Sequence, residues 1–424
     1  MNSRERLIQT IHHREPDRLV VDTGAGGQTG MGVCAVHNLR SALFGNTGYR
    51  VKITEPYQML GEVDEDLRKI LHLDVVGIDP PKNMFGFKNE RWKPFVMPDG
   101  TMVDVPGDFN TTRDEEGAVF IYAEGDMSAA PRAKMSANGY FFDAIDSVPA
   151  ADYNYLNPAD NTEEFGILTR EDLDYFVAKA EEYHSHTEYG IYMTLPGMAF
   201  GDIALVPATW MKHPKGIRRV EEWYLAILAY PDYIKQVFEK QCETALKNIE
   251  LLAEAVGNKV QVVFVSGTDF GTQNSLFISP ENYRELFKPY QKALNDKIHE
   301  LTNWKIFIHS CGAIHELIPD FIEAGFDILN PIQISAKGMD PQWLKKEFGN
   351  DIVFWGGGID TQKTLPFGSP DEVYREVRKN IDIFSPGGGF VFNTVHNIQS
   401  NVPPENILAM FRAVNDARKI NSLF

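Results

Sequence analysis

An apolar run in the C-terminal third, Lys305-Ile306-Phe307-Ile308, ends abruptly in His309-Ser310-Cys311-Gly312. The β-branched and aromatic residues read as a short buried strand, and Gly312 with Ile314, Leu317, Ile318, Phe321 and Ile322 after it reads as a turn into a helix. His309 and Cys311 therefore fall at the C-terminal end of a strand, where α/β folds assemble their chemistry. A borderline nitrogen donor and a soft sulfur donor two residues apart suit one zinc ion. The same pair also reads as a hydrogen-bonded histidine beside a small buried thiol, so more ligands are needed before a site is defined.

What must position these residues is a regular alternation of strands and helices. Strand-like stretches near 19, 74, 191, 260, 305, 328, 352 and 390 are separated by helical patterns, among them 170–184, 232–256 and 280–301. Ser279 reads as an N-cap, Ser369 with Glu372 as a capping box, and Pro403-Pro404-Glu405 as the start of the last helix. Eight strand-helix units are the tally of a (β/α)8 barrel, expected to form one domain over 1–424. A short helix over 3–13 precedes the first strand, and 54–72 reads as helix-rich. From 86 to 145 the texture changes to short strands and turns, which predicts a β-rich insertion or lid within the barrel.

In a barrel the residues just past each strand share one mouth. Those with polar side chains are Asp22, Asp79, Asp269, His309, Cys311, Asn330, Gln333, Asp360, His396, Asn397 and Gln399. His396 could complete a three-ligand zinc site with His309 and Cys311, leaving a fourth position open, as catalytic zinc requires. Asp269 could act as a base, bind substrate, supply an oxygen ligand or simply cap its loop, and Asp79 is the other candidate catalytic carboxylate. Gln333 and Asn397 are expected to contact substrate. Tyr140 and Phe142, at the aromatic end of the insertion, and Trp355 are expected to wall an aromatic pocket, with core packing as the other reading. His315, four residues beyond Cys311, reads as a packed or surface histidine more readily than as a ligand. Cys242 reads as a core thiol, and Cys34 has no ligand spacing. The glycine-rich stretch Gly24-Ala25-Gly26-Gly27-Gln28-Thr29-Gly30 lacks the spacing of a dinucleotide cradle and reads as a mobile loop over a pocket.

A formal net charge of −18 and the lack of a basic stripe argue against nucleic acid as a partner; the pairs Lys345-Lys346 and Arg218-Arg219 read as solvated helix faces. Three widely spaced cysteines give no disulfide framework, and no apolar run is long enough for a membrane span. A cytoplasmic enzyme without membrane association is the expectation.

The residues His309-x-Cys311-Gly312, Trp355-Gly356-Gly357-Gly358-Ile359-Asp360, Thr364-Leu365-Pro366-Phe367-Gly368 and Pro403-Pro404-Glu405-Asn406-Ile407, with Arg4-Glu5-Arg6 and Glu15-Pro16-Asp17-Arg18, resemble the uroporphyrinogen decarboxylase superfamily. The resemblance implies a (β/α)8 barrel and one of two chemistries, tetrapyrrole decarboxylation or zinc-dependent methyl transfer linked to a corrinoid. The decarboxylases carry an arginine-bearing R-Q-A-G-R signature near the N-terminus; Gly26-Gly27-Gln28-Thr29-Gly30 stands there and offers no arginine. The methyltransferases carry H-x-C where His309 and Cys311 stand and usually a cysteine as third ligand shortly before the P-x-E-N helix start; here His396 occupies that region, as a histidine does in the decarboxylases. The corrinoid methyltransferase branch is thus the closer resemblance. It implies zinc, a corrinoid (cobalamin) carried on a separate corrinoid protein, since no D-x-H-x-x-G signature occurs in this chain, and a small methyl donor or acceptor as substrate. The aromatic residues point to O-demethylation of a methoxylated aromatic compound. A methylcorrinoid:thiol transferase using coenzyme M or a similar thiol, a metal-free decarboxylase-like lyase, and a non-catalytic binding barrel are the alternatives.

Overall fold

The computed structural model describes residues 1–45 and 47–421. The eight barrel strands are β1 (Val20–Val21), β2 (Val75–Ile78), β3 (Gly190–Thr194), β4 (Val262–Ser266), β5 (Lys305–His309), β6 (Ile328–Asn330), β7 (Val353–Trp355) and β8 (Phe390–Phe392). They pair in parallel in the order β1-β8-β7-β6-β5-β4-β3-β2, with helices on the outside. The strands are short, and the valines, isoleucines and phenylalanines within them are buried on both faces, as a parallel sheet covered by helices demands.

The seam between β1 and β2 is joined through Asp74. Its N–H donates to the Val21 carbonyl at 2.8 Å, and its carboxylate accepts from the Val21 N–H at 3.1 Å. Gly77 lets the loop after β1 come close, because a Cβ there would lie 1.6 Å from the Ala25 carbonyl oxygen. Asp74 is fully buried and also binds Ser3 Oγ at 2.7 Å and Arg418 Nη2 at 2.7 Å, with Arg6 at 3.4 Å. A buried carboxylate is tolerable only with such partners.

Inside the barrel, Val20, Val75, Val262, Phe307, Ile328, Val353 and Val391 pack together, and Leu7 and Ile11 of helix Ser3–Ile11 join them. The interior also holds the rings of Tyr192, Phe264, Phe307 and Trp355: Tyr192 lies 5.3 Å from Phe307, and Phe307 lies 5.5 Å from Trp355, centroid to centroid, both edge-on. Such aromatic pairs add about 0.5–1.5 kcal/mol each beyond the area they bury.

Several sequence expectations change in detail. Within 54–72 only Glu65–Ile70 is helical; Ile53–Glu55 and Leu60–Gly61 form an antiparallel hairpin instead, with Pro56 just past the first strand, where it has no ladder N–H to donate. The helix expected over 280–301 is two helices, Pro280–Leu286 and Lys288–Leu301, split at Phe287 because Pro289 cannot donate a backbone bond to the preceding turn. The helix after Gly312 is confined to Ile318–Glu323. Arg218 is not on a solvated helix: its side chain is buried against Glu164 at 2.7 Å. The segment from 86 to 145 carries a hairpin, Lys93–Val96 with Met102–Val105, and a four-stranded antiparallel sheet of Thr111–Arg113, Val119–Ile121, Ala133–Met135 and Asp143–Ala144. No helix among the described residues is long and apolar enough to cross a membrane.

Candidate metal centre at the barrel mouth

His309 is the last residue of β5, and its strand partner across the sheet is Asn330, the last residue of β6. Asn330 Oδ1 lies 2.6 Å from His309 Nδ1, leaving Nε2 turned toward Cys311, whose Sγ is 3.3 Å away. The turn between them is held from three sides. The Cys311 N–H donates to Asp269 Oδ1 at 2.6 Å, the Gly312 N–H to Gln333 Oε1 at 2.7 Å, and Ser310 Oγ accepts from the Phe270 N–H at 3.0 Å. Gly312 adopts φ +93°, and a Cβ on it would come within 2.4 Å of the Gly271 backbone, so glycine is required for this approach.

From the loop after β8, His396 meets this pair across the mouth. The His309 and His396 ring centroids are 5.6 Å apart at 71°, and one ligating atom from each of His309, Cys311 and His396 lies within 4.8 Å of the others. Tetrahedral zinc with ordinary Zn–S and Zn–N lengths has ligand-to-ligand edges of about 3.4–3.6 Å, so the Cys311–His309 spacing is already close to that of a shared ion. The electrostatics agree with the geometry. Burial pushes the Cys311 thiol well above its ordinary pKa, and Asp269 pushes it further. Burial, reinforced by His309, lowers the His396 pKa to about 4, so its ring is neutral and its nitrogens can act as donors to a cation. Neither ring nitrogen of His396 has a hydrogen-bond partner among the described residues. Two imidazoles and one thiol with no lysine or arginine partner form a donor set that a divalent ion would complete, and an ion there would reverse the thiol's preference for its proton.

Three carboxyl groups, Glu55, Asp79 and Asp202, are unusually proton-retentive. Burial raises Glu55 to a pKa of about 7, although its oxygens accept the N–H groups of Tyr57 at 3.0 Å and Gln58 at 2.7 Å; nearby Asp79 adds to the rise. Asp79, just past β2, is open to solvent yet crowded by protein, which raises its pKa to about 6 against a weak bond from Thr194 Oγ1 at 3.3 Å. Burial, with a contribution from Asp269, lifts Asp202 to about 7. None of Glu55, Asp79 and Asp202 forms an ion pair with lysine or arginine among the described residues, and Asp269 approaches only His309, at 4.0 Å.

The side chains of the remaining expected site residues are engaged in packing and hydrogen bonds of their own. Trp355 is fully buried and donates its indole N–H to Asp22 at 3.0 Å, so it packs the barrel interior rather than facing substrate. Phe142 is fully buried edge-on to Phe85 and Phe109, and Tyr140 lies within reach of Asp99 and of Cys34 on helix Val33–Phe44; both pack the insertion onto its neighbours. Asn397 is also fully buried, its Oδ1 accepting from the Gly30 N–H at 2.6 Å and its Nδ2 donating to the Gly27 carbonyl at 2.7 Å and to Gln58. It ties down the glycine-rich loop, which is therefore pinned at both Gly27 and Gly30. Gln333 is likewise spent on Gly312 and, through Nε2, on Gln273 at 2.9 Å. These five were expected from aromatic or amide character at strand ends or at the end of the insertion, and character alone does not say which way a side chain faces. His315 packs edge-on to Trp343 at 6.2 Å. Glu55 and Asp202 were not legible in the sequence because one lies in a stretch read as helix and the other in a long loop past β3, and neither sits in a motif that would mark it.

Fold and centre together define a (β/α)8 barrel with a His-Cys-His donor set at the C-terminal ends of its strands. The family model described as uroporphyrinogen decarboxylase (URO-D) matches residues 186–417, more than half of the chain, and the chain belongs to that family. Among curated proteins it is 27% identical over 144 residues to the methylated-thiol–coenzyme M methyltransferase of Methanosarcina mazei, covering 34% of this chain and 35% of that one. It is 25% identical over 218 residues to the uroporphyrinogen decarboxylase of Syntrophotalea carbinolica, covering 50% and 57%. The matches thus span from about a third to somewhat over half of these relatives' length. Among solved structures, a methyltransferase from Methanosarcina mazei superposes with a TM-score of 0.54 at 13% identity, covering 98% of this chain and 99% of that one, which speaks to the fold.

Proposed function

We propose that this protein is a zinc-dependent methyltransferase that moves a methyl group between a small methylated compound and a corrinoid carried on a separate protein. The observation that carries the reading is the convergence of His309 Nε2, Cys311 Sγ and His396 at the open end of the barrel. That donor set suits zinc in the three-ligand arrangement that leaves a position for substrate. Zinc held by these residues supplies a Lewis acid that stabilises negative charge on the oxygen or sulfur that gains or loses the methyl group. The protein's own contributions are orientation and proton handling. Asp269 and Gln333 fix the backbone of the Cys311 turn, and Asp79, just past β2 with a pKa of about 6, can hold or release a proton near neutral pH. The likeness to a methylated-thiol methyltransferase supports the class of reaction and favours a methylated thiol as donor, because Trp355 and Phe142, which pointed to a methoxylated aromatic compound, are fully buried in packing of their own.

The decarboxylase reading has support in the family and in several relatives. Against it stands the mouth itself: Glu55, Asp79, Asp202 and Asp269 are unpaired with lysine or arginine among the described residues, an unfavourable surface for a polycarboxylate. The deciding experiment is metal analysis of protein purified without chelators, combined with a methyl-transfer assay using free cobalamin in its cobalt(I) form and, as donors, methylated thiols beside methoxylated aromatics. About one zinc per chain and cobalamin methylation are expected. A metal-free protein that decarboxylates uroporphyrinogen would overturn the proposal.

A further inference from the structure

We infer that Asn330 is a positioning residue that fixes the tautomer of His309, so that Nε2 and not Nδ1 is the nitrogen offered to the metal; the inference rests on the zinc reading above. Asn330 is fully buried, and its side-chain amide bridges two neighbouring strands. On one side Nδ2 donates to the main-chain carbonyl of Trp355 on β7 at 2.7 Å; on the other, Oδ1 faces His309 Nδ1 on β5 at 2.6 Å. A carbonyl can only accept, so the NH2 end of the amide must point toward Trp355 and the oxygen toward His309. An oxygen acceptor at 2.6 Å in turn demands a proton on Nδ1. An imidazole that offers a nitrogen to a metal keeps only one ring proton, and the lone pair offered is therefore on Nε2, which faces Cys311 Sγ at 3.3 Å. The chain of logic runs across three adjacent strands: the β7 backbone sets the β6 amide, and the amide sets the β5 histidine. A donated Nδ1–H also makes Nε2 the more basic ligand, the usual consequence of an acceptor behind a ligating histidine.

Two measurements test this. In metal-free protein carrying 15N-labelled histidine, the ring nitrogens of His309 should show a protonated Nδ1 and an unprotonated Nε2, and Asn330→Ala should give a mixture of tautomers. Zinc affinity, measured against a competing chelator, should fall about 10–100-fold in Asn330→Ala. Asn330→Asp keeps the acceptor for Nδ1–H while losing the bond to the Trp355 carbonyl, so it should bind zinc within a few-fold of wild type. A residue that merely bridged strands would make Asp fail as badly as Ala. The inference is overturned if wild-type His309 carries its proton on Nε2, if Asn330→Ala binds zinc as tightly as wild type, or if Asn330→Asp loses as much affinity as Asn330→Ala. Should the wild-type protein bind no zinc at all, the proposed function falls, while the wild-type ring-nitrogen spectrum still decides the tautomer. That spectrum also decides it if Asn330→Ala does not fold.

Discussion

Replacing Asp202 by asparagine should make the protein more stable, and the gain should depend on pH. Asp202 is 8% exposed and lines a recess with Leu205, Val206, Trp210, Trp223 and Phe238, surroundings that disfavour an ionised carboxylate. Burial, then the charge of Asp269, raises its pKa from 3.8 to about 7. The folded state thus holds this proton more tightly than the unfolded chain does, and stability is lost as pH rises from about 4 to about 7. At about 1.4 kcal/mol per pH unit, the ionised form costs the folded protein about 4 kcal/mol above pH 7. Asparagine is neutral throughout and retains an oxygen for the Ala204 N–H, which Asp202 Oδ1 accepts at 2.9 Å. Urea unfolding of wild type and Asp202→Asn at pH 5 and pH 8 reads the difference directly. The variant should gain up to about 4 kcal/mol at pH 8, with the advantage smaller by about 2–3 kcal/mol at pH 5, where the native carboxyl is already protonated. A variant no more stable than wild type at pH 8, or one with the same advantage at both pH values, would refute the reasoning. A positive result would mean that the protein tolerates a costly group at its mouth, as proteins do where function requires it.

Cys311→Ser and His396→Ala should each strip the protein of most of its zinc, read as metal per chain after gel filtration, while leaving the far-ultraviolet circular dichroism unchanged. With cobalt in place of zinc, the visible bands should respond to thiols at pH 8 in the order 2-aminoethanethiol, 2-mercaptoethanol, 2-mercaptoethanesulfonate, the first and last differing at least about tenfold in affinity because the nearby carboxylates attract one and repel the other. Tightest binding of the sulfonate would contradict the charge reading of the mouth. Asp74→Ala removes the partner of the buried Arg418 guanidinium and should lower stability by about 3–5 kcal/mol in denaturant unfolding, far from the mouth and without change in metal content.

Much of the architecture was legible because parallel barrel strands are buried on both faces and therefore read as unbroken apolar runs. All eight runs, from Leu19-Val20-Val21 to Phe390-Val391-Phe392, coincide with strands of the barrel. The capping box at Ser369 and Glu372 and the Ser279 cap marked helix starts that the structure retains, since these are local bonds that need no tertiary help. Pattern failed where backbone breaks competed with side-chain periodicity, as at Pro56 and Pro289. At the site, His309, Cys311 and His396 could be listed from their places after strands, because a closed barrel gathers all such positions into one mouth. What sequence could not supply was direction. Trp355, Asn397 and Gln333 have polar groups at the right strand ends, yet their hydrogen bonds run to Asp22, the glycine loop and the Cys311 turn. The orienting role of Asn330 was equally hidden, because it depends on a carbonyl of another strand.

The seam at Asp74 bears on the order in which the molecule can be made. Arg418, which clamps that carboxylate, and β8, which flanks β1, come from the last part of the chain. While residues 390–418 are still inside the ribosome, β1 has no partner on its β8 side, the Asp74 junction lacks its guanidinium, and His396 has not yet met His309. The metal-binding geometry therefore forms only once residues 390–418 have emerged: a nascent chain shows unpaired strand edges to its surroundings before it shows a place for an ion.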